Sequence, residues 1–306
     1  MKANIRINNS CAKWQRFINN NIEVYLSGYF FIDNELYSSD EAIEYIVDFV
    51  IKQKPTISDL KHFFSCFNGS WSVIINSENL LFAVVDIIRT IPIFYTIQND
   101  CLYISDSSNY LVNSLSLKEF SKDNEKIYLK SGATYPGKTL YKNLMDISAG
   151  KYISLDNGSF YNDNYWKMPL RINKDIYSHE CWTQKTQVIF DSVFKKMKVF
   201  FDKYQNQKIF LPLSGGMDSR LLAWALKKYE ISNEVIAFTY GINQELEEAK
   251  YSKQVAEVLN LKWEFVLYTQ EMWQGLDAKL QTIAKDFNIE KSAVHVQDFL
   301  AVEFLK

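Results

Sequence analysis

A short run of serine, glycine and aspartate holds the residues best suited by type and spacing to chemistry. The run is Ser214-Gly215-Gly216-Met217-Asp218-Ser219. It follows an apolar strand predicted over 208–213 and precedes a helix predicted over 218–230. Glycines lack a Cβ, so they can take φ > 0 and let a ligand approach the backbone. Because the N–H groups at a helix start favour an anion, the run predicts a phosphate-binding loop.

The polar side chains of this loop predict how phosphate would be held. Ser214 and Ser219 supply hydroxyl donors. Asp218 would repel phosphate by itself, so its predicted use is to hold Mg²⁺ against the phosphates. The alternative interpretation is a glycine-rich turn in which Asp218 only caps the helix. Neither G-x-x-x-x-G-K-[ST] nor G-x-G-x-x-G occurs, which excludes a Walker loop and the usual dinucleotide fingerprint.

The elements around the loop predict a parallel sheet in the second half of the chain. The apolar pattern predicts strands over 208–213, 235–240 and 263–267, and helices over 218–230 and 246–259. Strands that alternate with helices favour a doubly wound parallel sheet with right-handed crossovers. Ligands of such sheets bind beyond the carboxyl ends of the strands, which is where the loop lies.

The first half of the sequence predicts an α+β domain with many strands. Helices are expected to open at Ser39 and Ser58, and a meander of strands is predicted over 71–75, 80–85, 93–97 and 102–104. Glycine and proline break the chain between about 130 and 170, and a long helix is predicted over 178–204. We therefore expect two domains, 1–170 and 171–306. The apolar segment 292–305 predicts a final helix.

Composition narrows the function classes. The chain has 306 residues, 47% of them hydrophobic, and a formal net charge of −2. This balance excludes a disordered chain and a polycationic surface that would hold nucleic acid by charge alone. No apolar run approaches 18 residues, and the N-terminus has no secretory stretch, so we expect a cytoplasmic protein without membrane partners. The four cysteines and three histidines are scattered, which predicts neither a zinc cage nor a disulfide framework.

Several motifs together resemble one family. Ser-Gly-Gly-x-Asp-Ser after a strand resembles the pyrophosphate loop of the PP-loop ATP pyrophosphatases. The stretches that follow the loop, 238–241, 247–248 and 251–259, resemble asparagine synthetases. Four upstream stretches resemble the glutaminase half of the same family: 68–73, 85–95, 139–141 and 149–152. Arg220 is more like the related β-lactam synthetases and lasso-peptide cyclases.

This resemblance implies a fold, a reaction and a set of roles. It implies an Ntn-glutaminase-like α+β sandwich followed by a PP-loop domain that binds ATP and Mg²⁺. Residues 213–219 and Tyr240 would bind ATP, with Asp218 near Mg²⁺ and with Leu213 and Tyr240 lining the adenine site. The implied reaction adenylates a carboxylate and releases pyrophosphate before ammonia or another amine attacks. The carboxylate stays open between aspartate, a sugar acid, an antibiotic precursor and a peptide side chain.

Two departures from the family keep a second hypothesis open. The family's glutaminase uses an N-terminal cysteine as its nucleophile, whereas residue 2 here is Lys2, and Cys11 would serve only after cleavage of ten residues. The chain also stops at Lys306, before the family's remaining catalytic loop. The second hypothesis is a nucleotide-binding, catalytically incomplete protein that acts with a partner chain supplying the missing part. A tRNA-thiolating enzyme fits poorly, because paired cysteines and a basic face are absent from the sequence.

Overall fold

The computed structural model describes residues 1–9, 12–19, 21–169, 178–274, 276–286, 288–293 and 296–305, and it has a mixed α/β fold with several sheets. The chain divides into two compact units. The first unit comprises Met1–Leu170 and Leu280–Val294, and the second comprises Arg171–Lys279 and His295–Lys306. The segment Leu280–Val294, which we expected in the second domain, therefore packs with the first unit.

The elements alternate between strand-rich and helix-rich stretches. The strands are β1 Lys2–Arg6, β2 Trp14–Asn19, β3 Ile22–Ile32, β4 Glu35–Ser38, β5 Asn68–Ser77, β6 Leu80–Val85, β7 Phe94–Gln98, β8 Cys101–Ser105, β9 Met145–Asp146, β10 Lys151–Asp156, β11 Ser159–Asn164, β12 Ile209–Pro212, β13 Val235–Gly241 and β14 Lys262–Leu267. The helices are α1 Ser39–Gln53, α2 Ile57–Ser65, α3 Ser108–Ser114, α4 Lys122–Ser131, α5 His179–Lys203, α6 Met217–Lys228, α7 Glu247–Val258, α8 Gln270–Trp273, α9 Leu276–Asp286 and α10 Val296–Leu305.

The strands of the first unit form two separate sheets. One sheet has the order β1-β8-β7-β9, and the other has the order β11-β10-β6-β5-β3-β2, with β4 also paired to β3. The predicted meander is wrong: β5 and β6 pair in the second sheet, whereas β7 and β8 pair in the first. The chain leaves one sheet for the other after β6, at a loop that begins with the buried Asp86.

The two sheets pack face to face with helices outside them. Alternate side chains of the larger sheet, such as Tyr25 and Ile74, share a cluster with Ile104 of the smaller sheet. Their neighbours, such as Leu26, face α1 and α2 instead. Because successive strand residues point to opposite faces, the larger sheet contributes side chains to both clusters. The smaller sheet buries its other face against α3. The unit thus has four layers: helices, sheet, sheet and helix.

The second unit contains the predicted parallel sheet. Its strands pair in parallel in the order β12-β13-β14. One face packs against side chains of α5, α6 and α7, and the other packs against α10. The helix predicted over 178–204 is α5, whose N-cap Ser178 accepts a hydrogen bond from the N–H of Cys181 at 3.3 Å. These strands and helices place the start of α6 at the carboxyl end of β12.

Across the parts of the chain that the structure describes, every helix is too short or too polar to cross a membrane.

Candidate functional site

The predicted loop connects β12 to α6. Helix α6 begins at Met217, and its N-cap, Gly216, has no side chain to accept a hydrogen bond from the first turn. The first N–H groups of a helix have no partner within the helix itself. They therefore offer donors, and the positive end of the helix dipole, at the exposed surface of the loop.

Two serine hydroxyls hold the loop in shape. The N–H of Ser214 donates to Oγ of Ser219 at 3.1 Å, and the two hydroxyl oxygens lie 3.0 Å apart. The N–H of Gly216 donates to Oγ of Ser214 at 3.1 Å. The sequence predicts both serines as phosphate-binding residues, and the structure brings them into contact across the loop.

The two glycines do not need the conformational freedom that the sequence suggested. Gly216 has φ −73°, and Gly215 is absent from the residues with positive φ. A Cβ on Gly215 would meet the Tyr251 side chain at an ordinary 3.6 Å, while a Cβ on Gly216 would lie only 3.2 Å from Oγ of Ser214. Neither glycine therefore uses the positive φ that its missing Cβ permits, and only at Gly216 would an added Cβ be tight.

Asp218 is free to meet a ligand. It is the second residue of α6, its side chain is exposed, and within the described residues it makes no hydrogen bond or ion pair. The alternative interpretation, in which Asp218 caps the helix, is wrong because α6 has no side-chain cap. Among the described residues, no three acidic, histidine or cysteine side chains cluster around a possible metal position. A cation held by Asp218 would thus need further oxygen ligands from a molecule bound at the loop.

The two residues expected to line an adenine site lie on different faces of the sheet. Leu213 is 2% exposed and belongs to the cluster beneath α6 and α7, whereas Tyr240 is half-buried beside α10. The structure does not bring their side chains together. The ring of Tyr240 stacks on Tyr268, with centroids 5.3 Å apart and 20° between the planes.

The phenol of Tyr240 is fixed by a residue that the sequence analysis missed. Its hydroxyl donates to the carboxylate of Asp298 on α10. This hydrogen bond, together with burial, raises the pKa of Tyr240 to about 12. The sequence signal for Asp298 was an acidic residue in the first turn of a largely apolar helix.

Three further side chains contact the loop or its flanks and were not predicted as site residues. Arg220 donates from Nε to the carbonyl of Gly216 at 3.1 Å, and Tyr251 of α7 lies against Gly215. Thr239 donates from its hydroxyl to the carbonyl of Leu213 at 2.7 Å. A signal for Thr239 was present, since it is a polar residue within an apolar strand and a buried hydroxyl needs a partner.

Three residues of the first half of the chain, Lys2, Asp86 and Arg89, lie in the first unit. Residue 2 is Lys2, exposed at the start of β1, and Cys11 lies outside the described residues. Arg89 does not pair with the nearby Asp86: it lies 3.2 Å from Oδ2 of the buried Asp146. Asp86 accepts hydrogen bonds from the backbone of its own loop, so both residues have structural partners.

Comparison with known proteins identifies the segment that contains the loop. Residues 205–290 match the asparagine synthase family. The matched residues begin just before β12 and end just after α9. The match therefore includes the whole loop and the three parallel strands. The predicted resemblance to the asparagine synthetase family is confirmed.

A curated relative agrees with this family. The chain is 22% identical over 225 residues to the "Putative asparagine synthetase [glutamine-hydrolyzing] 2" of Methanocaldococcus jannaschii. The match covers 71% of this chain and 42% of that protein. The chain therefore spans less than half the length of this asparagine synthetase relative.

Two solved structures align with this chain at low structural similarity. They are the glutamine phosphoribosylpyrophosphate amidotransferase of B. subtilis in complex with ADP and GMP, and an allosteric regulatory enzyme of purine biosynthesis. Each is 10% identical, with TM-scores of 0.30 and 0.32. The first overlap covers 86% of this chain and 52% of the other, and the second covers 90% and 75%. At these TM-scores the overlaps do not define a shared fold.

Proposed function

We propose that this chain is an ATP-dependent, AMP-forming amide ligase or amidotransferase of the asparagine synthetase type. The observation that carries the proposal is the loop itself: serines, glycines and an unpaired aspartate stand at the junction of a parallel strand and a helix. The match of residues 205–290, which include this loop, to the asparagine synthase family also supports it.

The two units have different proposed roles. The second unit would be the PP-loop domain, because its parallel strands present the loop at their carboxyl ends. The first unit would be a glutaminase-like sandwich, since two sheets pack face to face between helices.

The residues of the loop fit a bound triphosphate. The first N–H groups of α6 lack a side-chain cap, and the hydroxyls of Ser214 and Ser219 bond chiefly to the loop itself. Phosphate oxygens can take these donors in place of the contacts within the loop. Asp218 would hold Mg²⁺, which neutralises phosphate charge when it is bound. Gly215, Gly216 and Met217 would contribute backbone contacts, and Tyr240 would line the adenine site.

The proposed chemistry is carboxylate activation. A carboxylate, aspartate or a related acid, attacks the α-phosphorus of ATP, and pyrophosphate leaves. Ammonia or another amine then attacks the acyl-adenylate, and AMP is released. The contribution of this chain would be to position the reactants and to neutralise charge through the loop.

The decisive experiment is pyrophosphate release from Mg·ATP, with ammonia and a panel of carboxylates that includes aspartate. We expect release that depends on one carboxylate, and a comparison of ammonium with glutamine shows which of the two supplies the amine for amide formation. ATP binding without release under all conditions would contradict catalysis by this chain. That result would favour a nucleotide-binding chain that needs a partner for catalysis.

A further inference from the structure

A buried group of three polar side chains lies directly beneath the start of the loop. Thr239 of β13 donates from its hydroxyl to the carbonyl of Leu213 at 2.7 Å. Oγ of Ser252 on α7 lies 2.6 Å from the same threonine hydroxyl, and Nε1 of Trp263 on β14 lies 3.2 Å from Oγ of Ser252. Ser252 is completely buried. We call Thr239, Ser252 and Trp263 the anchor triad.

The protons of the anchor triad can be assigned from its geometry. The only proton of the Thr239 hydroxyl is used at Leu213, so Ser252 must donate across the 2.6 Å contact. The alternative acceptor for Ser252 is the carbonyl of Ala249 at 2.9 Å, but that choice would leave two hydroxyl oxygens in contact without a proton between them. Donation therefore runs from Trp263 to Ser252, to Thr239 and to the carbonyl of Leu213. Hydrogen bonds in such a chain polarise and strengthen one another.

This chain of donors fixes the orientation of one peptide group. The carbonyl of Leu213 and the N–H of Ser214 belong to the same planar trans peptide, in which the two groups point in opposite directions. Because Thr239 holds the carbonyl on the side of the sheet interior, the N–H must point into the loop. There it meets Oγ of Ser219 at 3.1 Å. The first backbone donor of the loop is thus aimed by side chains that do not belong to the loop.

We propose that the anchor triad consists of positioning residues that hold the Leu213–Ser214 peptide in the orientation needed to bind a triphosphate. The part that concerns triphosphate rests on the function proposed above. None of the three side chains is expected to touch the ligand. They act through the backbone N–H of Ser214, which an isolated loop peptide would leave free to rotate.

The first test compares Thr239→Val with Thr239→Ser in the full chain. Valine keeps the shape of threonine but removes the hydroxyl, while serine keeps the hydroxyl. By calorimetry, we expect Thr239→Val to bind Mg·ATP about tenfold more weakly and Thr239→Ser to stay within about twofold of the natural chain. Equal affinity in the valine variant and the natural chain would overturn the proposal.

A second measurement needs no ligand. Hydrogen exchange at the amide of Ser214 reports the orientation and bonding of that N–H in the free protein. We expect faster exchange in Thr239→Val and unchanged exchange in Thr239→Ser. If the natural chain binds no Mg·ATP, the proposed function fails, yet exchange at Ser214 still decides the role of the triad. Unchanged exchange in the valine variant would overturn it.

A third variant covers the case in which Thr239→Val does not fold. In Ser252→Ala, Trp263 can still donate to Thr239, from which it lies 3.3 Å away. We therefore expect an intermediate effect, with Mg·ATP bound about threefold more weakly and with partial loss of protection at Ser214. An effect of Ser252→Ala on thermal stability alone, with both readouts unchanged, would also contradict the proposal.

Discussion

At the scale of single residues, the chain offers a matched pair of aspartates. Asp218 is the second residue of α6, and Asp123 is the second residue of α4. Both side chains are exposed, and both lie at the positive end of a helix dipole. They differ in their surroundings, because only Asp218 stands beside the glycine-rich loop. The comparison of the two separates an effect on a ligand from a general effect on a helix.

We expect Asp218→Ala to abolish measurable binding of Mg·ATP, because the loop loses its carboxylate ligand for Mg²⁺. The same change at Asp123 should leave binding unaffected. Each variant should lose only about 0.3–1 kcal/mol of stability, as expected for an acidic residue in a first helical turn. Calorimetric titration and thermal unfolding measure both effects. Unchanged affinity in Asp218→Ala would remove the assignment of this segment as a phosphate loop.

The position of the loop could be predicted from sequence, but its internal geometry could not. Residue types and the flanking apolar pattern located 214–219 between strand and helix, and the structure agrees. The φ angles of the two glycines could not be predicted, because residue type shows what a glycine permits and not what it adopts. The contact of Thr239 with Leu213 could not be predicted, since it depends on the register between two parallel strands.

At the scale of elements, α10 covers the face of the parallel sheet on which Tyr240 lies. Leu300 and Ala301 pack in the same cluster as Phe238 and Tyr268, and Asp298 accepts the hydrogen bond from Tyr240. The apolar residues supply the burial, while the hydrogen bond between Tyr240 and Asp298 fixes the position of the helix along the sheet. The pKa of Tyr240 therefore reports whether α10 is in place.

We expect the pKa of Tyr240 to fall from about 12 towards 10 in Asp298→Asn, because the carboxylate that stabilises the protonated phenol is gone. The pKa in the folded protein is higher than the unfolded value. The contact therefore stabilises the protein fully below pH 10 and is lost as the pH rises from 10 to about 12. NMR titration of the Tyr240 ring, assigned with Tyr240→Phe, measures the shift. Glu303→Gln on the same helix is the control and should leave this pKa unchanged, whereas an equal shift in both variants would contradict the role of Asp298.

Elements of the second unit were easier to predict than those of the first. Alternation of short apolar strands with amphipathic helices is local information, and β12, β13 and β14 lie within two residues of their predicted positions. Strand β1 was missed, because Lys2–Arg6 has little apolar character of its own. It is a strand because it pairs with β8, about a hundred residues away in sequence, and no local pattern reports such a pairing.

At the scale of the whole molecule, a late segment of the chain completes the first unit. Lys291 is buried there: its ammonium donates to the carbonyl of Lys138 at 3.0 Å and lies 3.2 Å from Oδ1 of Asp146. Arg89 approaches the other carboxylate oxygen of Asp146. Burial lowers the pKa of Lys291, while the charge of Asp146 opposes that shift. Asp146, which is 1% exposed, thus joins two distant parts of the sequence.

We expect Asp146→Asn to destabilise the first unit by about 3 kcal/mol, because it leaves Arg89 and Lys291 without their shared counter-charge in a buried place. The control is Glu119→Gln, which breaks the exposed pair of Glu119 with Lys142. It should change stability by less than about 0.5 kcal/mol. Urea unfolding measures both variants. Equal losses of unfolding free energy in the two variants would show that the buried cluster contributes no more to stability than the exposed pair.

The packing of residues 280–294 with the first unit has a consequence for folding during synthesis. Asn288 accepts hydrogen bonds from the N–H and hydroxyl of Ser108, and the hydroxyl of Tyr128 donates to the carbonyl of Ile289. Domains of a growing chain generally fold in order from the N-terminus, at about 5–20 residues per second. Here the N-terminal sandwich emerges from the ribosome early but must wait for roughly 120 further residues before Asn288 and Lys291 arrive. During those seconds of translation, Ser108 and Tyr128 lack these late partners, and Asp146 has Arg89 but not yet Lys291. The nascent sandwich therefore exposes polar groups that the finished protein buries.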